Sequence, residues 1–331
     1  MISIKRPPIT VIIAAYNRKA FLKEAIASAL DQTLPRSKYE IVVIKNFRDK
    51  DIDSYIKKNH LKSVLSNTAS NGGFIIDAFK KSRGDVICFL DDDDKFTRDK
   101  LQHIYAEFEK DPRLVFYHNN YKVINAKGKI IEELSNKYRY KSIGKERFVR
   151  AAFNNSSVSI RRKLFVGNIS DWKKAKLSID TLALAFAVKD GGGIKFSNDE
   201  LTLYRIHGAN SSTKNVTEED LSDFITRKQE IQRRFYEVST LFCNIVKNTR
   251  YEPEFRRFNI ESKLKYKIYS FNDLDKQIFP KFKDYIDTLT HPTKERLILV
   301  FLSVLPQRLK RAAIKRIMVK RHSDIISIQY Q

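Results

Sequence analysis

Residues 86–90 (Val-Ile-Cys-Phe-Leu) form an unbroken apolar run that leads straight into four consecutive aspartates, Asp91 to Asp94. A short run of this kind suits a β-strand covered on both faces, as in a parallel sheet packed between helices. Four carboxylates at one strand end repel one another and resist being ionised together. A hard divalent cation offsets that repulsion and binds such oxygens well. The contrast with the rest of the chain is sharp: 63 Lys and Arg against 39 acidic residues give a net charge of +24 over 331 residues. The acidic tip is the first candidate for a site.

The flanking segments say what kind of sheet this strand joins. Thr10 to Ala15 is a second apolar strand, followed by the turn Tyr16-Asn17-Arg18, with Asn17 suited to cap a helix. Phe21/Leu22, Ala25/Ile26 and Ala29/Leu30 recur every four residues and predict a helix with one buried stripe. Glu40 to Ile44 and Ser63 to Ser66 read as further strands. A helix from about Phe74 to Ser82 follows Asn71-Gly72-Gly73, whose backbone N–H groups are suited either to a phosphate or to a simple turn. Thr97 caps another helix that ends at Lys110.

Strands alternating with helices predict a parallel, right-handed α/β sheet. Ligands of such sheets bind outside the carboxyl ends of the strands, so Tyr16-Asn17 and Asp91–Asp94 are expected in one crevice. Residues 115–131 read as a strand pair joined at Ala126-Lys127-Gly128, residues 140–190 as mostly helical, and Leu201 to Ile206 as a short strand. Beyond about Asn215 the chain turns to long helical segments rich in Lys, Arg and aromatics. The expected division is an α/β domain over 1–215 and a basic helical region over 216–331.

Composition narrows the setting. An apolar content of 42% supports a real core. Two cysteines, Cys88 and Cys243, are too few for a disulfide framework or a structural zinc site, which fits a reducing cytoplasmic compartment. The N-terminal residues lack a signal-peptide pattern, and no apolar run reaches the length of a spanning helix. The excess of Lys and Arg suits an anionic partner. The apolar stretch from Arg296 to Pro306 and the basic stretch from Arg308 to His322 together predict an amphipathic segment, 296–322, lying on an anionic membrane surface at the inner face. Packing of that helix on the rest of the chain is the alternative. No nucleic-acid module is visible, and nucleic acid is not an expected partner.

Three segments converge on one chemistry: TVIIAAYNR at 10–18, GDVICFLDDDD at 84–94 and LTLYRIHGANSS at 201–212. In order and spacing they resemble glycosyltransferase family 2, the inverting nucleotide-sugar transferases of GT-A fold, over about residues 8 to 213. The resemblance implies a Rossmann-like, mostly parallel sheet flanked by helices, with the C-terminal helical region as an extension. It implies a nucleotide diphosphate sugar donor and a glycan or lipid-linked acceptor. Asp91 and Asp93 then form an Asp-x-Asp pair, Asp93 contacting Mn2+ or Mg2+ on the donor diphosphate, with Asp91 or Asp92 holding the ribose. His207 is expected to help hold the metal or diphosphate, and Arg205 either to pair with the diphosphate or to brace the loop. Ala14, Tyr16 and Asn17 are expected along the nucleotide.

The family places its carboxylate base at a helix start, eleven residues before a glycine. That position is Asp180, ahead of Gly191, with Ile179 where the family usually has Glu. Asp171 is the second candidate. After the second strand the family's base-reading Asp-Asp-Gly-Ser is replaced by Lys45-Asn46-Phe47-Arg48, so the resemblance does not name the nucleobase. Two other classes fit part of the pattern. A nucleotidyltransferase calls for a glycine-rich basic phosphate loop where this chain has AAYNRKAF. A non-catalytic membrane- or polyanion-binding protein on a degenerate transferase scaffold is suggested by Lys45-Asn46.

Overall fold

The computed structural model describes residues 8–132, 149, 154–207, 221–271, 278–290 and 292–316. The chain divides into two compact units, residues 1–205 and 206–331. The first holds strands β1 (Ile9–Ala15), β2 (Tyr39–Lys45), β3 (Lys62–Leu65), β4 (Val86–Asp91), β5 (Lys95–Phe96), β6 (Leu114–Ile124), β7 (Val158–Arg161) and β8 (Gly193–Arg205). They make one sheet in the order β3-β2-β1-β4-β7-β6-β8-β5. Pairing is parallel from β3 through β2 and β1 to β4, whereas β7 runs antiparallel to both β4 and β6.

Helices cover both faces, which is why the central strands are apolar without alternation. Val11, Ile13, Val43, Cys88 and Leu90 share a core with Leu22, Ala25, Ile26 and Ala29 of α1 (Leu22–Leu30), Ile52 and Ile56 of α2 (Lys50–Lys58), and Leu101, Ile104 and Phe108 of α4 (Lys100–Lys110). On the other face Phe89 meets Phe165, which stacks between Phe79 of α3 (Asn71–Phe79) and Trp172 of α5 (Ile169–Lys174) at 4.3 and 4.2 Å. Trp172 stacks in turn on Phe186 of α6 (Ile179–Asp190), a helix buried along almost its whole length.

Strand β1 lies between β2 and β4, so the winding of the chain reverses there. In register, Ala14 sits beside Asp91 and Ala15 beside Lys45. The crevice at this reversal is where the open α/β sheet places its ligand.

Several elements differ from their sequence expectation. Helix α2 was not foreseen, because it buries only Ile52 and Ile56 and presents charge elsewhere; Asp49 caps it through the N–H groups of Asp51 and Ile52. Asn17 caps no helix: α1 begins at Leu22, and Asn17 is a turn residue with φ of 56°. The stretch expected to be mostly helical contains β7, and β8 is a 13-residue strand rather than a short one. Its partly exposed, polar sequence hides it. Residues 133–148 and 150–153 of that stretch lie outside the described residues. The expected hairpin is reduced to a turn closed by Asn125 N–H to Lys129 O and a single bridge between Ile124 and Ile130. Within Asn71-Gly72-Gly73 both glycine N–H groups are used by the protein itself: Gly72 donates to Ala175 O and Gly73 to Ser70 Oγ.

The second unit contains α7 (Leu221–Ile245), α8 (Glu252–Tyr269), α9 (Phe282–Thr290) and α10 (Lys294–Val304), and residues 307–316 are also helical. Phe224, Ile225, Ile268 and Ile314 form its core, and Arg296 makes a buried ion pair with Glu261 at 2.9 Å. Among the described residues no helix is long and apolar enough to cross a membrane.

Gly84, just before β4, is fixed by its surroundings. Its N–H donates to Thr10 Oγ1 at 2.9 Å, and a Cβ there would meet Thr10 N at 2.4 Å and Ile9 C at 2.5 Å. Those contacts are backbone and cannot swing aside. Gly84→Ala is expected to cost about 1–3 kcal/mol by forcing β4 from β1. Urea melts check this; an unchanged midpoint would show that the start of these two central strands yields freely.

Candidate active site

The four aspartates take four different environments as β4 ends. Asp91 accepts from Asn155 Nδ2 at 3.1 Å, and its own N–H donates to Ser156 Oγ at 2.9 Å. Asp92 and Asp93 face Arg18. The guanidinium Nη1 donates to Asp93 Oδ2 at 2.7 Å, Nε to Asp92 Oδ2 at 3.3 Å, and Nη2 to Asp92 Oδ1. Asp94 is fully turned inward, accepting from Ser156 Oγ at 2.6 Å and from the main-chain N–H of Arg205 at 2.9 Å. Burial pushes Asp91 up to about 6, helped by the charge of Asp93, and drives Asp92 and Asp94 upward as well. Arg18, three residues past β1, supplies the nearest positive charge, and nothing in its sequence neighbourhood pointed to that role.

Arg205 answers one of the two expectations for it. Its side chain is fully buried, with Nε donating to Asp93 O at 2.8 Å, Nη1 to Ala126 O at 2.8 Å and Nη2 to Glu24 Oε2 at 2.7 Å. The ring of Phe21 lies 4.3 Å below the guanidinium. This geometry is that of a brace for the aspartate turn, not of a diphosphate ligand. Beneath the turn, Lys100 is wholly buried and donates to Ser156 O and Thr202 Oγ1; burial lowers it to about 7.

Asp180 opens α6, after Ser178 at φ 56°. Its Oδ1 accepts from Thr181 N–H at 2.6 Å, and the carboxylate also accepts from the main-chain N–H of Asn154. Burial, reinforced by the charge of Asp91, pushes it up to about 7. The acidic tip and Asp180 are therefore neighbours in charge. Asp171 instead pairs with Lys174 at 2.6 Å on the outer side of α5.

Toward β2, Tyr16 is 44% exposed and meets Phe74 edge-on at 5.5 Å, while Ala14 is partly open beside Asp91. Asn17 and Asn46 hold each other: Asn17 N–H donates to Asn46 Oδ1, and Asn46 Nδ2 donates to Asn17 Oδ1, both at 2.7 Å. Lys45 turns away from the crevice, buried against Phe47 O and Asp53. His207 is half-buried, two residues past β8, at the start of the second unit. Residues 208–212 of its motif lie outside the described residues.

Among the described residues no three His, Cys, Asp or Glu side chains converge as a closed metal cage. The donor set nevertheless fits Mn2+ or Mg2+. Asp91 and Asp93 offer hard oxygens whose charge is under-compensated, and such ions commonly take one or two carboxylates with the rest from substrate phosphate and water. Arg18 holds the Asp93 oxygen that a cation would share.

The sheet, with its acid-tipped strand at the reversal, has the GT-A fold seen in the solved transferase structures it resembles. Residues 10–166 match the family model of glycosyl transferase family 2. An uncharacterized glycosyltransferase of Rickettsia conorii is 37% identical over 135 residues, covering 38% of this chain and 21% of that protein. A poly(ribitol-phosphate) beta-glucosyltransferase of Bacillus spizizenii is 31% identical over 130 residues, covering 36% of this chain and 20% of that protein. The chain thus spans about a fifth of the length of these relatives. Among solved structures, residues 1–349 of S. aureus TarS, determined with UDP-GlcNAc, share the fold with a TM-score of 0.54 at 16% identity, over 96% of this chain and 91% of that one.

Arg18→Ala removes the cation from Asp92 and Asp93. Breaking a buried pair costs several kcal/mol; with Arg18 a third exposed the expected loss is about 1–3 kcal/mol. The sign with pH follows from Asp91, whose folded value of about 6 lies above the ordinary 3.8. Such a group favours the folded state at low pH, and that stability is lost as pH rises through 6. In EDTA the variant's deficit should therefore be larger at pH 8 than at pH 5. Equal deficits would show that Arg18 does not neutralise the tip.

Proposed function

We propose that the chain is an inverting, metal-assisted glycosyltransferase. It moves a sugar from a nucleotide diphosphate donor to a hydroxyl of a glycan or lipid-linked acceptor. The observation that carries this reading is the adjacency of Asp180 to the acidic tip, the Asn154-Asn155 turn bonding to both Asp180 and Asp91. The nucleotide sugar bound to TarS supports the donor class. The acceptor named for the Bacillus relative is a polyol phosphate, and an anionic acceptor of that kind suits a chain of net charge +24.

Asp180, raised to about 7 by burial, is poised to take a proton near neutrality. It accepts the proton of the acceptor hydroxyl while that oxygen attacks the anomeric carbon. The bond from that carbon to the diphosphate oxygen breaks on the opposite face, and the electron pair leaves with the nucleotide. A divalent ion bound by Asp91 and Asp93 would supply positive charge to the leaving diphosphate. Arg18 holds Asp92 and Asp93 in place, Arg205 fixes the main chain beneath them, and Tyr16 offers an exposed ring to the base.

A panel of UDP-, GDP- and dTDP-sugars with Mn2+ or Mg2+, scored for nucleotide release, identifies the donor. With that donor, kcat/KM should rise about tenfold per pH unit below 7 and level off above, because the base works only when deprotonated. Asp180→Asn should abolish transfer while donor binding by calorimetry is retained. A flat profile from pH 5.5 to 8, or an active variant, removes Asp180 as the base. Absence of any nucleotide binding would favour the non-catalytic scaffold reading.

We also propose that the helical unit rests on an anionic membrane surface. Phe282, Ile286 and Leu289 on α9 and Leu297, Ile298, Phe301 and Val304 on α10 are exposed, with Phe282 81% and Phe301 61% accessible. Lys281, Lys283, Lys294, Arg308 and Arg311 are exposed around them. Apolar faces rimmed by basic residues suit the headgroup boundary. The contact differs from the expected segment, since Arg296, Lys310 and Ile314 are buried within the unit and α9 joins in; residues 317–322 lie outside the described residues. Phe301→Glu should reduce flotation with phosphatidylglycerol vesicles and leave nucleotide binding intact. Unchanged flotation would remove this face as the contact.

A further inference from the structure

The turn that precedes β7 touches both carboxylate groups of the site. Asn155 Nδ2 donates to Asp91 Oδ1 at 3.1 Å, and the main-chain N–H of Asn154 donates to Asp180. Between them, Ser156 ties the turn to Asp94. Asn154 itself is only 5% exposed and adopts φ 73°, an unusual conformation for a residue with a side chain. Its Oδ1 is used by Ser156 N–H at 2.9 Å, but its buried Nδ2 has no hydrogen-bond partner, and neither does the buried Oδ1 of Asn155.

Buried amide atoms left without partners are uncommon and costly. Here one is a donor and one an acceptor, on adjacent residues, the pair that a hydroxyl satisfies by accepting from one and donating to the other. In an inverting displacement the sugar lies between the base and the departing diphosphate. A side-chain pair anchored to both carboxylate groups therefore borders the sugar.

We infer that Asn154 and Asn155 bind hydroxyl groups of the transferred sugar and set which sugar the enzyme accepts. This rests on the transferase reading above. No local pattern marks the pair, because Asn154-Asn155 stands among residues that carry no motif and Asn155 reaches Asp91 across 64 positions.

The test compares two affinities for each protein by calorimetry with Mn2+: the nucleotide sugar found in the donor panel, and the corresponding nucleoside diphosphate. Asn155→Ala should weaken the nucleotide sugar about tenfold, as expected for one lost hydrogen bond to a buried group, and leave the diphosphate within about twofold. Asn154→Gly removes the unpartnered donor and tolerates the positive φ, though it gives up the bond to Ser156 N–H, so it should keep the fold by circular dichroism and still lose selectivity among sugars on one nucleotide. If both ligands weaken equally in Asn155→Ala, the residue only supports Asp91 and the inference fails. If both variants keep the parent's affinities and sugar preference, the inference also fails. Failure of the parent to bind any nucleotide would instead strike the transferase reading itself.

Discussion

Taking four adjacent carboxylates out of water at the end of one strand is the constraint around which this crevice is built. Two like charges about 4 Å apart at a partly buried site repel by about 4 kcal/mol, so the cluster cannot exist without compensation. Its partners come from distant parts of the chain. Arg18 follows β1, Ser156 precedes β7, and the N–H of Arg205 closes β8. Each arrives only because the sheet sets β1 on one flank of β4 and β7, with β6 and β8 beyond it, on the other. The sheet order and the charge balance are in this sense one requirement. Compensation is also incomplete, and the residual negative charge is what a cation or a proton would answer.

The central strands and the position of the acidic tip were legible because burial on both faces leaves an apolar run that no neighbouring residue interrupts. The shared crevice was legible because Tyr16-Asn17 and the acidic tip both fall at carboxyl ends of strands, without knowledge of any contact. Legibility failed where burial is one-sided or partners are remote. Helix α2 shows only Ile52 and Ile56 as an apolar stripe, and β8 alternates irregularly beside solvent. Arg18 reaches Asp92 across 74 positions, so local pattern had no means of pairing them. The buried Lys100 is the same case, since a lysine in an amphipathic helix ordinarily signals a solvated face.

The departure at Lys45-Asn46 acquires a physical form. Lys45 is withdrawn to Asp53 and Phe47, and Asn46 is locked to Asn17 by two reciprocal amide bonds. The residues beside Tyr16 are therefore neutral and mutually satisfied rather than acidic. Arg205 likewise moves from a possible ligand to a structural brace, because every direction of its guanidinium meets protein oxygen or the Phe21 ring.

The pairing of Ala14 with Asp91 has a consequence for how such a molecule can diverge. Strand side chains alternate faces, so a single residue gained or lost within 9–15 or 86–91 would turn the carboxylates toward the opposite layer. Strand length is thus far less negotiable than the identity of the residues in the loops. Substitutions in the loops leave that register intact, while the count of residues leading up to Asp91 stays frozen.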